Sequence, residues 1–469
     1  MEDIADSWWS SRSDQNWTDR QQAWFYNATQ GSQLIDYKWM LSLEQPDNDT
    51  LFLDDSHMDD LRFITRGFDK DDPDRVDHLP IGFAKDVSRD IRTGNRKISL
   101  GLTCAACHTN ELENTDDEGT THQIRIDGGG TLANGPLFVH RLAESVTNTV
   151  RDNAKFDRFA TLVLGSSTDG TPKDNLLNEL TEYMLKRQQY QRSTSETTTT
   201  IEGYGRFDAF GRIFNQALSK VGAGDHNFNA INAPVSFPFL WGTNQSDFVQ
   251  WVGIAGNDGV GPLGRNAGEV LGVFADINVT PPALTVGYSN SVNASNLNRL
   301  EKRIRKLRSP VWDEVLPPID VESAARGADI FVTSFNGERS CNICHNLVDR
   351  TDEDRQVVAW MEKLSSIGTD PTTANNISSP ATRRMGYTGV LKGRTTVPFG
   401  KTVFSSKAPV MEIVTHEVGN MLLLRPFALA KQELISFFKG RLSQMERQGN
   451  WVRNPGDPKT TDPDKFTSE

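Results

Sequence analysis

The sequence predicts a mainly α chain in two units, each built round a Cys-x-x-Cys-His turn. Three observations carry this. Cys104-Ala105-Ala106-Cys107-His108 and Cys341-Asn342-Ile343-Cys344-His345 together use all 4 cysteines of the 469 residues. The two motifs stand much further apart than one small domain needs, so each implies its own unit. Apolar positions recur at helical spacing over 141–190, Phe207–Leu218, Leu297–Leu307 and Val321–Phe331.

The motif spacing has a chemical reason. Two thiols three residues apart on a helical turn reach the two vinyl groups along one edge of a porphyrin, and the next histidine falls under the iron. Zinc or a redox disulfide would also suit a lone Cys-x-x-Cys. Zinc would require two distant pairs to converge, and a redox dithiol has no use for the histidine. The sequence therefore predicts two covalently bound c-type haems, on Cys104, Cys107 and His108 and on Cys341, Cys344 and His345.

The elements follow in order. Trp8 to Glu44 is rich in aromatics and reads as an N-terminal cover packed on the first unit. Residues 141–190 read as helix, and Ser193–Thr200 as an exposed Ser/Thr loop. Phe207–Leu218 is helical again, with Asp208 near its start. Gly253–Gly264 is glycine-dense and predicts a loop, with aromatics closely before it. Thr280-Pro281-Pro282 suggests a boundary, giving units at 1–280 and 281–469. Leu297–Leu307 is a basic amphipathic helix stopped by Ser309-Pro310. Val321–Phe331 is a helix with Asp320 as N-cap, leading into the second motif as in small cytochromes c. The tail from Gln448 to Glu469 is polar and is expected to be poorly ordered.

Bulk properties narrow the function. The net charge of -12, pI near 5.3 and mean hydropathy of -0.51 argue against a nucleic-acid partner. No stretch approaches the roughly 18 apolar residues of a membrane helix. Met1-Glu2-Asp3-Ile4-Ala5-Asp6 carries no secretion signal. Bacterial haem attachment takes place outside the cytoplasmic membrane, so the expectation is a periplasmic or secreted protein whose signal lies outside this numbering.

Several blocks occur in a characteristic order: Thr29–Ile35, Leu41–Pro46, Leu79–Asp86, Gly101–Thr109, Ile124–Gly129, Gly205–Gln216, Phe237–Trp251 and Gly261–Phe274. On these the chain resembles the large bacterial dihaem cytochromes of the cytochrome c peroxidase-like group, which includes the rubber oxygenase. The resemblance implies two cytochrome c-like haem domains with additional helices, long loops and little sheet. It assigns dioxygen or peroxide chemistry to the haem on His108 and electron transfer to the haem on His345. A tyrosine-leucine-histidine-asparagine-glycine motif of the group has no counterpart before Glu469, which leaves the distal ligand of the second haem unassigned.

Candidate residues around the haems follow from chemistry. His416 lies after the second motif, where a cytochrome c unit commonly supplies a distal ligand. Met361, Met385, Met411 and Met421 compete with it, as do five further histidines at 57, 78, 122, 140 and 226. Arg125 suits a haem propionate or an Arg–Asp surface pair. Trp241 and Trp251 suit lining the first haem, electron relay or ordinary core. Phe239 and Phe248 suit an apolar distal wall. Two functions remain open. One is a haem-dependent oxygenase or peroxidase acting on dioxygen, peroxide or a hydrophobic substrate; the other is an electron-transfer protein serving a redox partner protein, or a redox subunit of a larger assembly.

Overall fold

The computed structural model describes residues 15–65, 79–165, 170–193, 201–220, 228, 230–250, 253, 255–257, 261–279, 287–312, 315–333, 340–343, 345, 347, 351, 364–378, 396–397, 400–401, 410–423, 451–453 and 466–468. About 49% of these are helical and 16% strand. The fold is therefore a mixed α/β arrangement, and the expectation of a mainly α chain with little sheet is corrected. The strands concentrate around the first cysteine motif, where several carry polar residues on both faces and hide the alternation that marks a half-buried strand.

α1 (Asp19–Asn27) opens on a capping box between Thr18 and Gln21. β1 (Ile35–Asp36) leads into α2 (Tyr37–Ser42), whose N-cap Asp36 accepts from two backbone amides. α3 (Asp55–Asp60) follows. β2 (Phe83–Arg89) and β3 (Arg96–Leu102) pair antiparallel over seven residues, and β1 adds to the far edge of β3 in the order β1-β3-β2. β3 runs directly into α4 (Cys104–Cys107), the turn of the first motif. β4 (Thr109–Thr115) and β5 (Thr121–Asp127) then form a second seven-pair antiparallel hairpin.

Against β1-β3-β2 lie α2 and three long helices, α5 (Gly135–Arg151), α6 (Asn153–Leu164) and α7 (Thr171–Ser193). Asn134 caps α5 with proline in its first turn, and Asp152 caps α6. Phe138 is fully buried at the centre, and the rings of Phe52, Phe63 and Phe83 meet it at 5.7, 5.2 and 5.4 Å, all near edge-on.

A second core is built by α8 (Ala209–Lys220), α9 (Gly261–Gly272), α10 (Ala294–Ile304) and, far along the chain, a helix at Val410–Leu423. α9 begins inside the stretch expected to be loop. Its glycines are a packing surface rather than a breaker: a Cβ on Gly272 would fall 2.2 Å from Ile213 of α8, so only glycine permits that crossing. Packing also runs across residue 280. Tyr288, Val292, Leu297 and Leu300 are buried with the preceding elements, and Asn293 donates its amide to the Gln30 carbonyl at 3.0 Å.

α11 (Val321–Val332) has the expected Asp320 cap, whose side chain accepts from the Ser323 amide. It contains no buried residue, and Val321, Ile330 and Val332 are all exposed. It packs beside the Cys341–Ile343 turn. α12 (Leu364–Ile367) and α13 (Thr372–Ser378) are short, and α14 is the returning helix at Val410–Leu423. In the polar tail, Trp451–Arg453 pairs antiparallel with Phe466–Ser468. Most of the Ser193–Thr200 run and the prolines at 281 and 282 lie outside the described residues.

Candidate functional site

The first motif is held from both sides by backbone. Thr103 caps α4, its hydroxyl accepting from the Ala105 amide at 3.3 Å, while its own amide donates to Gly82 at 2.8 Å. On the other side the amides of Gly128 and Thr131 donate to the carbonyls of His108 at 2.8 Å and Cys107 at 3.0 Å. The turn is thus clamped between the two antiparallel ladders. Gly82 is required for this: its φ is +82°, and a Cβ there would lie 2.0 Å from the Ala106 nitrogen.

His108 is set for ligation by a single contact. Its Nδ1 stands 2.8 Å from the carbonyl of Pro238. A carbonyl only accepts, so the ring proton sits on Nδ1 and the lone pair is on Nε2. Burial holds the imidazole down at about 4, so it is neutral near pH 7. A backbone carbonyl orienting the non-ligating nitrogen is the usual support behind a metal-bound histidine. The carbonyl is fixed in turn, because the Leu240 amide donates to Gly128 at 2.8 Å. Phe237 meets the imidazole near edge-on at 6.0 Å and stacks on Phe207.

Burial pushes the Cys104 thiol well up and that of Cys107 up to about 12, which favours the protonated form of both. Cys104 donates to Gln30 Oε1 at 3.3 Å. Cys104, Cys107, His108 and Glu269 are each half-buried. Glu269, on α9, acts electrostatically on both thiols. Its carboxyl is held above the ordinary value by burial, and Gln250 Nε2 donates to its Oε1 at 3.2 Å. Gln250 has a φ of +68°, an unusual conformation for a residue other than glycine. Arg265, one turn before Glu269, donates to Glu301 Oε1 at 2.7 Å and locks α9 to α10.

These residues fit a covalent porphyrin. Two half-buried thiols and an imidazole share one turn, no hydrogen bond to the imidazole Nε2 is present among the described residues, and a backbone carbonyl orients the ring from the Nδ1 side.

Other candidates take different places. Arg125 is buried and donates to Glu111 Oε2 at 2.7 Å, its register partner across the hairpin. Beside it Tyr26 donates to Asp127 Oδ1 at 2.5 Å, a contact that ties α1 to β5. Arg125 is thus committed to an internal ion pair with Glu111. Trp241 stacks on Phe239 at 5.1 Å, three and one residues beyond Pro238 respectively, and Phe239 is 48% exposed. Phe248 lies in a short strand paired with Gly256. Trp251, Met361, Met385, His78 and His226 lie outside the described residues.

At the second motif the Cys341 carbonyl accepts from the His345 amide at 2.9 Å, matching the 2.8 Å bond from His108 to Cys104. The same local turn therefore brings cysteine and histidine together twice. Here Cys341 and His345 are exposed, and Cys344 lies outside the described residues. His416 is enclosed by the second core, which contains neither motif. Its Nε2 stands 3.0 Å from the Tyr288 hydroxyl, and burial holds it down at about 4. Met421 is core. His57 bonds the Phe52 carbonyl, His122 pairs with Asp116, and His140 lies beside Glu144.

Sequence reasoning had no means of finding Pro238, which acts through its backbone, or the pairing of Gln250 with Glu269, which depends on tertiary approach.

The described fold and site define an α/β chain with one enclosed and one open Cys-x-x-Cys-His turn. No protein-family model matches it, and no solved structure matches it. It is similar to y4iJ, an uncharacterized protein of Sinorhizobium fredii (strain NBRC 101917 / NGR234), with 29% identity over 404 residues, or 78% of this chain and 65% of the relative. The chain thus spans less than two thirds of that relative's length. Among the described residues no helix is long and apolar enough to cross a membrane.

Proposed function

We propose that this chain is an exported dihaem c-type cytochrome oxidoreductase of the dihaem peroxidase-like group. In this reading the haem on Cys104, Cys107 and His108 reacts with dioxygen or peroxide, and the haem on Cys341, Cys344 and His345 serves electron transfer. The carrying observation is the contact of His108 Nδ1 with the Pro238 carbonyl, which leaves the Nε2 lone pair available.

A haem there would supply an iron centre that binds and reduces oxygen species. The chain's own residues do the rest. Pro238 orients the imidazole. Phe237 and Phe207 shield its edge from water. Burial raises the Glu269 carboxyl above its ordinary value and so favours its acid form, and Gln250 positions that carboxyl. A buried acid near a reacting oxygen supplies general-acid catalysis worth roughly 10²-fold or more. Electron transfer alone is the second reading, favoured by the exposure of Cys341 and His345.

Absorption and EPR spectra of the exported protein, with and without carbon monoxide, test the reading in the resting and half-reduced states. The expected result is two haems per chain, one of which binds the gas. His108→Ala removes the gas-binding signal and leaves the other haem. Two haems that both ignore carbon monoxide in each state would leave only electron transfer.

A further inference from the structure

The chain is acidic overall, yet residues 299–308 carry six basic side chains and one acidic one. The acidic one, Glu301, is taken by Arg265 and Asn266. Arg299, Lys302, Arg303 and Lys306 follow at spacings of three and four and so form one stripe along α10 and its continuation. Arg299, Lys302 and Lys306 are exposed. None of the four makes an ion pair among the described residues. Arg299 and Arg303 both lie over the Trp24 ring, at 4.8 and 4.4 Å. Arg303 keeps a buried Nη1 without a hydrogen-bond partner among the described residues. Burial and the charges of Arg299 and Arg20 disfavour its protonated form. Like charges are thus held together here with nothing described to neutralise them.

The opposite face of the same helix reaches the first motif. Leu300 and Ile304 are buried in one cluster with Ala105, and Cys104 packs against it. The basic stripe is therefore one helix thickness, roughly 10 Å, from the attachment turn.

We propose that the exposed stripe of α10, with Arg20 of α1, is the docking surface for an acidic redox partner protein that exchanges electrons with the haem on His108. The assignment of electron exchange rests on the haem reading above; the docking does not. Charge complementarity selects the partner, because at physiological ionic strength screening acts over about 8 Å, so the local patch outweighs the distant acidic surface.

The test uses the full exported protein and two small monohaem cytochromes c as probes, one acidic and one basic. Binding is measured by calorimetry at low salt. The acidic probe should bind, and raising salt tenfold should weaken it by roughly tenfold or more. The triple variant Arg299→Glu, Lys302→Glu, Lys306→Glu should lose at least roughly tenfold in affinity, with unchanged circular dichroism. Stopped-flow reduction of the N-terminal haem by the acidic probe should slow in step. Preference for the basic probe, or unchanged affinity in the variant, overturns the proposal. So does equal affinity for a DNA duplex, or binding that appears only after residues 1–14 are removed. A haem count by pyridine haemochrome separates the two ideas: a missing N-terminal haem defeats the function proposed above, whereas lost binding defeats the docking surface.

Discussion

His108, half-buried, and His416, buried, are both held at about 4 by desolvation, yet their neighbours differ. A carbonyl faces His108 and leaves Nε2 bare, whereas the Tyr288 hydroxyl occupies the Nε2 side of His416. His416 therefore serves stability. Its folded value lies below the ordinary 6.5, so the unfolded chain takes up the proton first as the pH falls. Stability present above pH 6.5 should be lost between 6.5 and 4, by up to about 3 kcal/mol. His416→Gln should flatten this acid limb in denaturant titrations and leave the haem spectra unchanged; a changed spectrum would restore His416 as a ligand. Glu269→Gln keeps the shape and removes the acidic proton. Peroxide turnover should fall roughly 10²-fold while carbon monoxide binding is retained, as read by steady-state kinetics beside a difference spectrum.

At the scale of elements, the motif turn depends on a glycine that is not part of the motif. Gly82→Ala places a Cβ against the Ala106 backbone at a φ that disfavours it. The substitution should cost at least about 1–3 kcal/mol and reduce the haem retained per chain, measured by thermal melting and haem stain. The helices that surround the site were legible because their periodicity and caps are local: α11 begins at the expected Val321 behind the Asp320 cap. The sheet was less legible. Ile98, Leu100 and Leu102 alternate as a strand should, but their partner β2 and the hairpin β4–β5 carry charged and polar residues on much of both faces. Gly94 and Gly119, both at positive φ, mark the two hairpin turns and were the available signal. For α9, glycine density misled because Gly261 and Gly264 are buried within the helix, and further along it Gly268 and Gly272 lie against α14 and α8. In the site, the two Cys-x-x-Cys-His turns were legible from spacing. The Pro238 carbonyl and the Glu269 carboxyl were not, since each arrives from a sequence-distant element.

At the scale of the molecule, the two motifs have unequal surroundings. One turn is held between two ladders, with Ala105 and Ala106 buried; the other is open beside an exposed helix. Asn114 donates to the Val315 carbonyl, and beyond the second motif Thr373 and Asn376 bond to Ala233 and Asn232 before α14 joins the second core, so the segment bearing Cys341 is fastened on both sides. A protease that cuts once between 311 and 409 should therefore release no fragment: the pieces should co-elute in size exclusion and separate only in denaturant. Fastening has a kinetic meaning as well. A group confined by two anchors meets its neighbour as an intramolecular event, at an effective concentration set by the length of the span. Dilution of the protein would then leave exchange between the two turns unchanged, whereas exchange with a separate partner would slow in proportion.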